Sequence, residues 1–265
     1  MMEKMIFGRF IPGNSFVHQL DPRSKLIFTF VFVIIVFLAN NAITYGLLLA
    51  FTLFVILISK IRFYFLVNGL KPVILLILFT FLIHILFTRE GNVLFELGFL
   101  KVYEGGLRQG FFISIRFVVL IFITTILTLT TSPISITDGL EVLLNPLKKL
   151  KLPIHELALM MSIALRFIPT LMDETDKIMK AQMARGSDLG SGPIKDRIKA
   201  VVPLLVPLFV SAFKRAEDLA TAMEVRGYRG GEGRTRYRKL KWDAKDTICI
   251  FALVFITALL VYFRS

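Results

Sequence analysis

The sequence predicts an all-α integral membrane protein. Three observations carry that expectation. Apolar residues make up 55% of the 265, and the mean hydropathy is +0.72. They gather in long continuous runs instead of alternating, which favours helices over barrel strands. The net charge of +13 is kept largely outside those runs. On a water-soluble chain such a basic excess would suggest nucleic acid. Beside this hydrophobicity it points to cytoplasmic loops, where Lys and Arg accumulate, and no nucleic-acid partner is expected.

Five runs approach the 17–25 helical residues, roughly, that span a bilayer core. They lie near 24–40, 42–59, 70–88 (starting around Pro72), 108–131 and 246–263. Lys and Arg at the ends of the shorter ones are expected to snorkel to the interface. The N-terminal tail carries Lys4, Arg9, Arg23 and Lys25, and the stretch between the fourth and fifth spans holds most of the remaining basic residues. The positive-inside rule then puts both in the cytoplasm. Two further apolar runs, 154–172 and 198–213, are interrupted by Arg166 and Pro169 and by Pro203 and Pro207, and each continues into a charged helical pattern. They read as long helices with one half against the membrane and one half in water; counting both as spans gives seven, with the same end orientations. The chain divides into membrane helices over 1–131, a largely helical segment over 132–228, a basic linker over 229–245 and a last span over 246–265. The linker region, with Tyr237 and Trp242, suits the headgroup layer of the inner leaflet, where each Lys or Arg contributes about 1 kcal/mol.

Bond-making chemistry finds little support. Cys249 is the only cysteine, so no internal disulfide can form. His18, His84 and His155 are dispersed, without metal-ligand spacing, and no metal site is expected. No Gly-rich phosphate loop with Lys-Ser or Lys-Thr occurs, and no cleavable signal peptide is expected. Two ionisable residues sit on spans. His84 is either functional or hydrogen-bonded to a neighbouring helix; Arg116 either snorkels outward or pairs in a polar interior.

A sharper pattern is a repeated helix end. Ala181-Gln182-Met183-Ala184-Arg185-Gly186 and Ala222-Met223-Glu224-Val225-Arg226-Gly227 both read A-x-x-x-R-G, forty-one residues apart. As plain helix stops, the Gly fits a left-handed C-cap and the Arg suits the negative end of the dipole. The repetition adds a second reading. An Arg fork held on a rigid tip suits an acidic pocket on a partner, and two such tips suit a partner with two similar lobes, such as a dimer of ATPases.

With these parts in order, the chain resembles the T component, the transmembrane coupling subunit, of energy-coupling factor transporters. Leu20-Asp21-Pro22-Arg23-Ser24-Lys25-Leu26 looks like that family's lead into its first span, with Asp21, Pro22 and Arg23 in a structural role. Ser162-Ile163-Ala164-Leu165-Arg166-Phe167-Ile168-Pro169-Thr170-Leu171 looks like its second coupling helix, and Ala184-Arg185-Gly186 and Val225-Arg226-Gly227 match its paired X-Arg-X motifs. The resemblance implies an L-shaped helical protein: about five membrane spans plus three cytoplasmic coupling helices near 134–150, 153–186 and 194–228, the last two crossing as an X. It implies a prokaryotic cell membrane, two ABC-type ATPase subunits that hold the ATP, no cofactor on this chain, and a membrane S component that captures a vitamin or other micronutrient. Contact with that S component would fall on Leu157, Met160, Met161, Ala164, Leu165, Pro169, Leu204, Leu205, Leu208 and Phe209, whose small and flexible neighbours suit a surface that repacks. These residues could instead only pack the two helices on each other. Competing expectations are a stand-alone secondary transporter, for which His84 is the one hint, and a membrane scaffold unconnected to ATPases.

Overall fold

The computed structural model describes residues 10–97, 100–186, 194–230 and 239–264. Lys4, Arg9 and Tyr237, singled out above, lie outside them, as does 231–238 of the basic linker. The chain divides into two compact units: one holds Gly8–Val142 and resumes at Leu240, and the other holds Leu143–Lys239.

The first unit is a helical bundle. After the single turn α1 (Phe16–Gln19) come α2 (Pro22–Val36), α3 (Ala42–Ser59), α4 (Phe63–Phe87), α5 (Glu104–Thr130), the start of α6 (Pro133–Leu144) and α9 (Ala244–Tyr262). Helix α2 begins where its sequence says it should: Asp21 caps it by accepting from the Arg23 N–H, and Pro22 occupies the first turn. Its core face carries Phe28, Phe32, Ile35 and Val36, which pack with Tyr45 and Leu48 of α3, Val119 and Ile123 of α5, and Leu253, Ile256 and Leu260 of α9. Ring stacking of Phe32 on Phe28 and Phe51, at 5.7 and 5.8 Å, accounts for part of the chain's phenylalanine excess.

Helix α4 runs unbroken from Phe63, with Pro72 inside it and not at its start. In a membrane helix the lost amide bond is tolerated because neighbours and local adjustments satisfy the freed carbonyl. It packs closely on α5 because small residues let the backbones approach: a Cβ on Gly106 would stand 2.7 Å from the His84 carbonyl oxygen, and one on Gly69 2.8 Å from Thr125 Oγ1. Away from that seam α4 is bare and apolar, with Leu75 77% and Phe87 76% exposed, as a lipid-facing helix must be. Between α4 and α5 the chain forms an antiparallel hairpin, β1 (Val93–Leu97) and β2 (Leu100–Tyr103), a departure from the all-α expectation.

Among the described residues, five helices are long and apolar enough to cross a bilayer: α3, α4, α5, α9 and α7 (Ile154–Ala184) of the second unit. Four of the five fall on expected spans, and α7 joins them by length and composition. Helix α2, expected as the first span, has 15 residues, about 22 Å of helix. Helix α7 qualifies because its apolar first half tolerates Arg166 and Pro169 without breaking.

The second unit holds the end of α6, a 3-10 segment Asn145–Leu150, α7, and α8 (Ile194–Val225). The division between units falls inside α6. Pro169 in α7 and Pro203 and Pro207 in α8 are accommodated within continuous helices.

Candidate functional site: two capped helix tips and a polar fastening

Each repeated R-G end closes its helix on a glycine at positive φ. In α7, the Arg185 N–H donates to the carbonyls of Ala181 and Gln182, and the Gly186 N–H to Met183 at 3.0 Å. In α8, Gly227 N–H donates to Glu224 at 2.8 Å and Tyr228 N–H to Met223 at 3.0 Å, which is the full Schellman pairing. Gly186 and Gly227 have φ of +87° and +72°, and nothing stands within 4 Å of where a Cβ would be. Glycine is therefore required by backbone conformation alone. The cap makes the preceding arginine the last residue before the chain turns away. Ala184, Arg185, Gly186, Val225, Arg226 and Gly227 are all exposed, Val225 by 83%. Among the described residues, neither the Arg185 nor the Arg226 guanidinium has a hydrogen-bond or ion-pair partner. Helix stop and exposed guanidinium thus coexist: the cap is the device that presents the side chain.

The apolar halves of α7 and α8 present bare surface as well. Of the residues expected to meet a membrane partner, Leu157, Met160, Met161, Ala164, Pro169, Leu205 and Phe209 are exposed, and Leu165, Leu204 and Leu208 are half-buried. None of the ten lines the groove between α7 and α8, which is built from Ile163, Phe167 and Leu171 on one side and Ala212, Ala216 and Met223 on the other.

In the bundle, Asp21-Pro22-Arg23 belongs to a larger polar fastening. Arg23 donates to Asp21 through Nε at 3.0 Å and Nη2 at 2.9 Å, and its guanidinium lies 5.7 Å over the Trp242 ring. Asp246, 1% exposed, supplies the other half. Its Oδ1 accepts from the Asp21 N–H at 2.8 Å and Ser24 Oγ at 2.6 Å, and its Oδ2 from the Asp243 N–H at 2.8 Å, where the two residues form the capping box of α9. Lys25, 5% exposed, donates to the carbonyls of His18 at 3.2 Å and Thr130 at 3.1 Å, so a cation closes the C-terminal end of α5. Asp246 was missed in the sequence. The available signal was Asp243-x-x-Asp246 ahead of an apolar run, a capping pattern that also places a carboxylate at the edge of a span.

The two ionisable residues on spans both have partners within the first unit. His84 Nδ1 lies 2.8 Å from the Thr80 carbonyl of its own helix. Arg116 Nη2 donates to Tyr45 Oη at 2.6 Å and approaches the Ala39 carbonyl at 3.4 Å, while the guanidinium lies over Phe37 at 5.1 Å. It fastens the α2–α3 turn to α5. Among the described residues no cluster of three metal-ligating side chains occurs.

A largely helical membrane bundle joined in sequence to two long helices that end in exposed arginines defines a class: a multi-pass membrane protein. Comparison with known proteins identifies which. The family described as CbiQ, Cobalt transport protein, matches residues 13–237. Proteins called energy-coupling factor transporter transmembrane protein EcfT are similar over their whole length: 68% identical in Bacillus subtilis (strain 168), with all of both chains covered, and 58% in Macrococcus caseolyticus (strain JCSC5402), again with all of both. The counterpart in Streptococcus equi subsp. equi (strain 4047) is 52% identical, covering 100% of this chain and 98% of its own. The chain belongs to the EcfT family, the transmembrane component of energy-coupling factor transporters, and is a multi-pass bacterial membrane protein.

Proposed function

We propose that this chain is the non-catalytic coupling subunit of its transporter. Arg185 and Arg226 each dock in an acidic groove of one of two ABC-type ATPase subunits, which hold the ATP; the chain itself binds no cofactor. Closure of the ATPases on ATP moves the two tips. Helices α7 and α8 pass that motion to a membrane S component seated on their exposed apolar halves, which releases a vitamin or other micronutrient inward. The N-terminus and the second unit face the cytoplasm, in keeping with the basic residues that flank them.

The observation that carries this reading is the pair of exposed guanidiniums, unpartnered among the described residues, on helix ends that each close on a positive-φ glycine. A planar guanidinium fork loses less freedom per hydrogen bond formed with a carboxylate than a Lys ammonium does, so it suits recognition at such a tip. Lack of a phosphate-binding loop in the sequence supports placing nucleotide on the partners.

The double variant Arg185→Glu/Arg226→Glu tests it. Tagged wild-type protein is expected to co-purify two ATPases from its host membrane, and the variant to lose them or to lose ATP-driven uptake. A double variant that assembles and transports normally overturns the assignment.

A further inference from the structure

One polar contact joins the two tip-bearing helices. Glu174 of α7 accepts a hydrogen bond from Ser211 Oγ of α8 at 2.7 Å and is ion-paired with Arg215 Nη2; Arg215 Nε also reaches Ser211 Oγ at 3.4 Å. Among the described residues this is the one ion pair between α7 and α8. From it the groove of about 320 Å³ continues toward lower numbers on α7, through Leu171, Phe167 and Ile163, and toward higher numbers on α8, through Ala216 and Met223. The helices are therefore antiparallel where they touch, and their two tips point away from the contact in opposite directions.

The position of the pair along each helix is not arbitrary. Arg185 follows Glu174 by eleven residues, and Arg226 follows Arg215 by the same eleven. The forty-one-residue offset that relates the two tips thus also relates the two members of the ion pair. Two helices of a common pattern meet head to tail at equivalent positions, as they would about an approximate two-fold axis. Identical charges there would repel; Glu on one and Arg on the other attract. Each arm from contact to tip is about 16 Å of helix. Neither arm contains Gly or Pro, whereas Pro169, Pro203 and Pro207 all lie on the far side of the contact from the tips. The arms are stiff, and the halves beyond the contact hold the residues that permit bending.

We infer that Glu174, Ser211 and Arg215 form the fulcrum of two equal-armed levers, positioning residues that fix the point about which the tips of α7 and α8 turn. This rests on the coupling function proposed above. The pair is partly exposed, with side chains 24% and 39% accessible, so it contributes little to stability. Its contribution is register: a bidentate-capable fork opposite a carboxylate has one good alignment, and Ala212 and Ala216 beside it let the helices rock without losing contact.

The experiment uses the purified complex with its ATPases. Spin labels are placed at Ala181→Cys and Ala222→Cys, both exposed, in a Cys249→Ala background. Interspin distance is measured before and after a non-hydrolysable ATP analogue. The parent is expected to give a narrow distribution that shifts with the analogue. Glu174→Arg and Arg215→Glu are each expected to keep the ATPases bound, broaden the distribution and lose the shift. The exchanged pair Glu174→Arg/Arg215→Glu is expected to restore both. Single variants that keep the narrow, shifting distribution overturn the fulcrum and leave the coupling function standing. An exchanged pair that fails to restore the shift, or single variants that lose the ATPases as well, also overturns it. A parent that binds ATPases but shows no shift overturns both.

Discussion

The polar fastening of the bundle and the tips of α7 and α8 use charge in opposite ways. At the fastening, Asp246 is buried and its two oxygens take three donors, while Lys25 is buried against two carbonyls. Everything charged there is spent on the fold. At the tips, Arg185 and Arg226 are exposed and unpartnered among the described residues, and only their backbones take part in the structure. Burial without a partner is costly, whereas exposure without one costs almost nothing. An unpaired charge on a rigid, conformationally specified element is therefore free to act on another molecule, and a fully satisfied one is not.

Substitutions at the tips should break function and spare the fold. For Arg185→Glu/Arg226→Glu, each lost charge pair at a partner groove should cost about 2–5 kcal/mol, so at least roughly 30-fold in ATPase affinity per tip. ATP-driven uptake by reconstituted vesicles is expected to fall to background, while the melting temperature of the isolated chain in detergent changes by no more than about 2 °C. A large fall in melting temperature would mean the arginines hold the fold and the contrast is mistaken.

The fastening should show the converse. Asp246→Ala leaves the Asp21 and Asp243 amides and the Ser24 hydroxyl without their acceptor in a buried site, at a cost of about 3 kcal/mol or more. That corresponds to a melting temperature lower by about 10 °C. Whatever protein remains folded should still bring down the ATPases, because the tips are unchanged. Differential scanning fluorimetry and co-purification on the same preparation separate the two effects.

This contrast also divides what could be read from the sequence. The tips were legible because an A-x-x-x-R-G end is local: cap, exposed arginine and required φ all lie within six residues. The helices α7 and α8 were legible from apolar runs that pass without a break into charged ones. Asp246 was not, because its partners Asp21 and Ser24 lie 225 and 222 residues away. The meeting of Glu174 with Arg215 was equally hidden, since it depends on how two helices cross. The β1–β2 hairpin is too short for its periodicity to stand out between two long apolar helices. Length and interruption compete at α2 and α7: α2 is cleanly apolar but 15 residues long, and α7 is long and apolar enough to qualify yet carries Arg166 and Pro169.

A smaller effect sharpens the account of the tips themselves. Gly186→Ala and Gly227→Ala place a Cβ in open space but at positive φ, so the cost is conformational, about 1–2 kcal/mol at each cap. Asn, which tolerates the left-handed region, should recover much of it. If the cap serves to aim the arginine, uptake should fall with Ala and return with Asn while both guanidiniums remain present. If uptake is the same in all three, the arginines do not need a fixed direction.

The smallest expected effect falls at His84, where the sequence left a functional role open. Its Nδ1 is already satisfied by the Thr80 carbonyl one turn back on α4, so the side chain is a half-buried ring with a local hydrogen bond. His84→Phe keeps the ring shape, and the carbonyl it releases still takes part in the helix ladder. Uptake within about twofold of wild type and a melting temperature within about 2 °C are expected. Loss of uptake with stability intact would place an ionisable group of the bundle on the transport path, and charge in the membrane unit would then no longer be spent on structure alone.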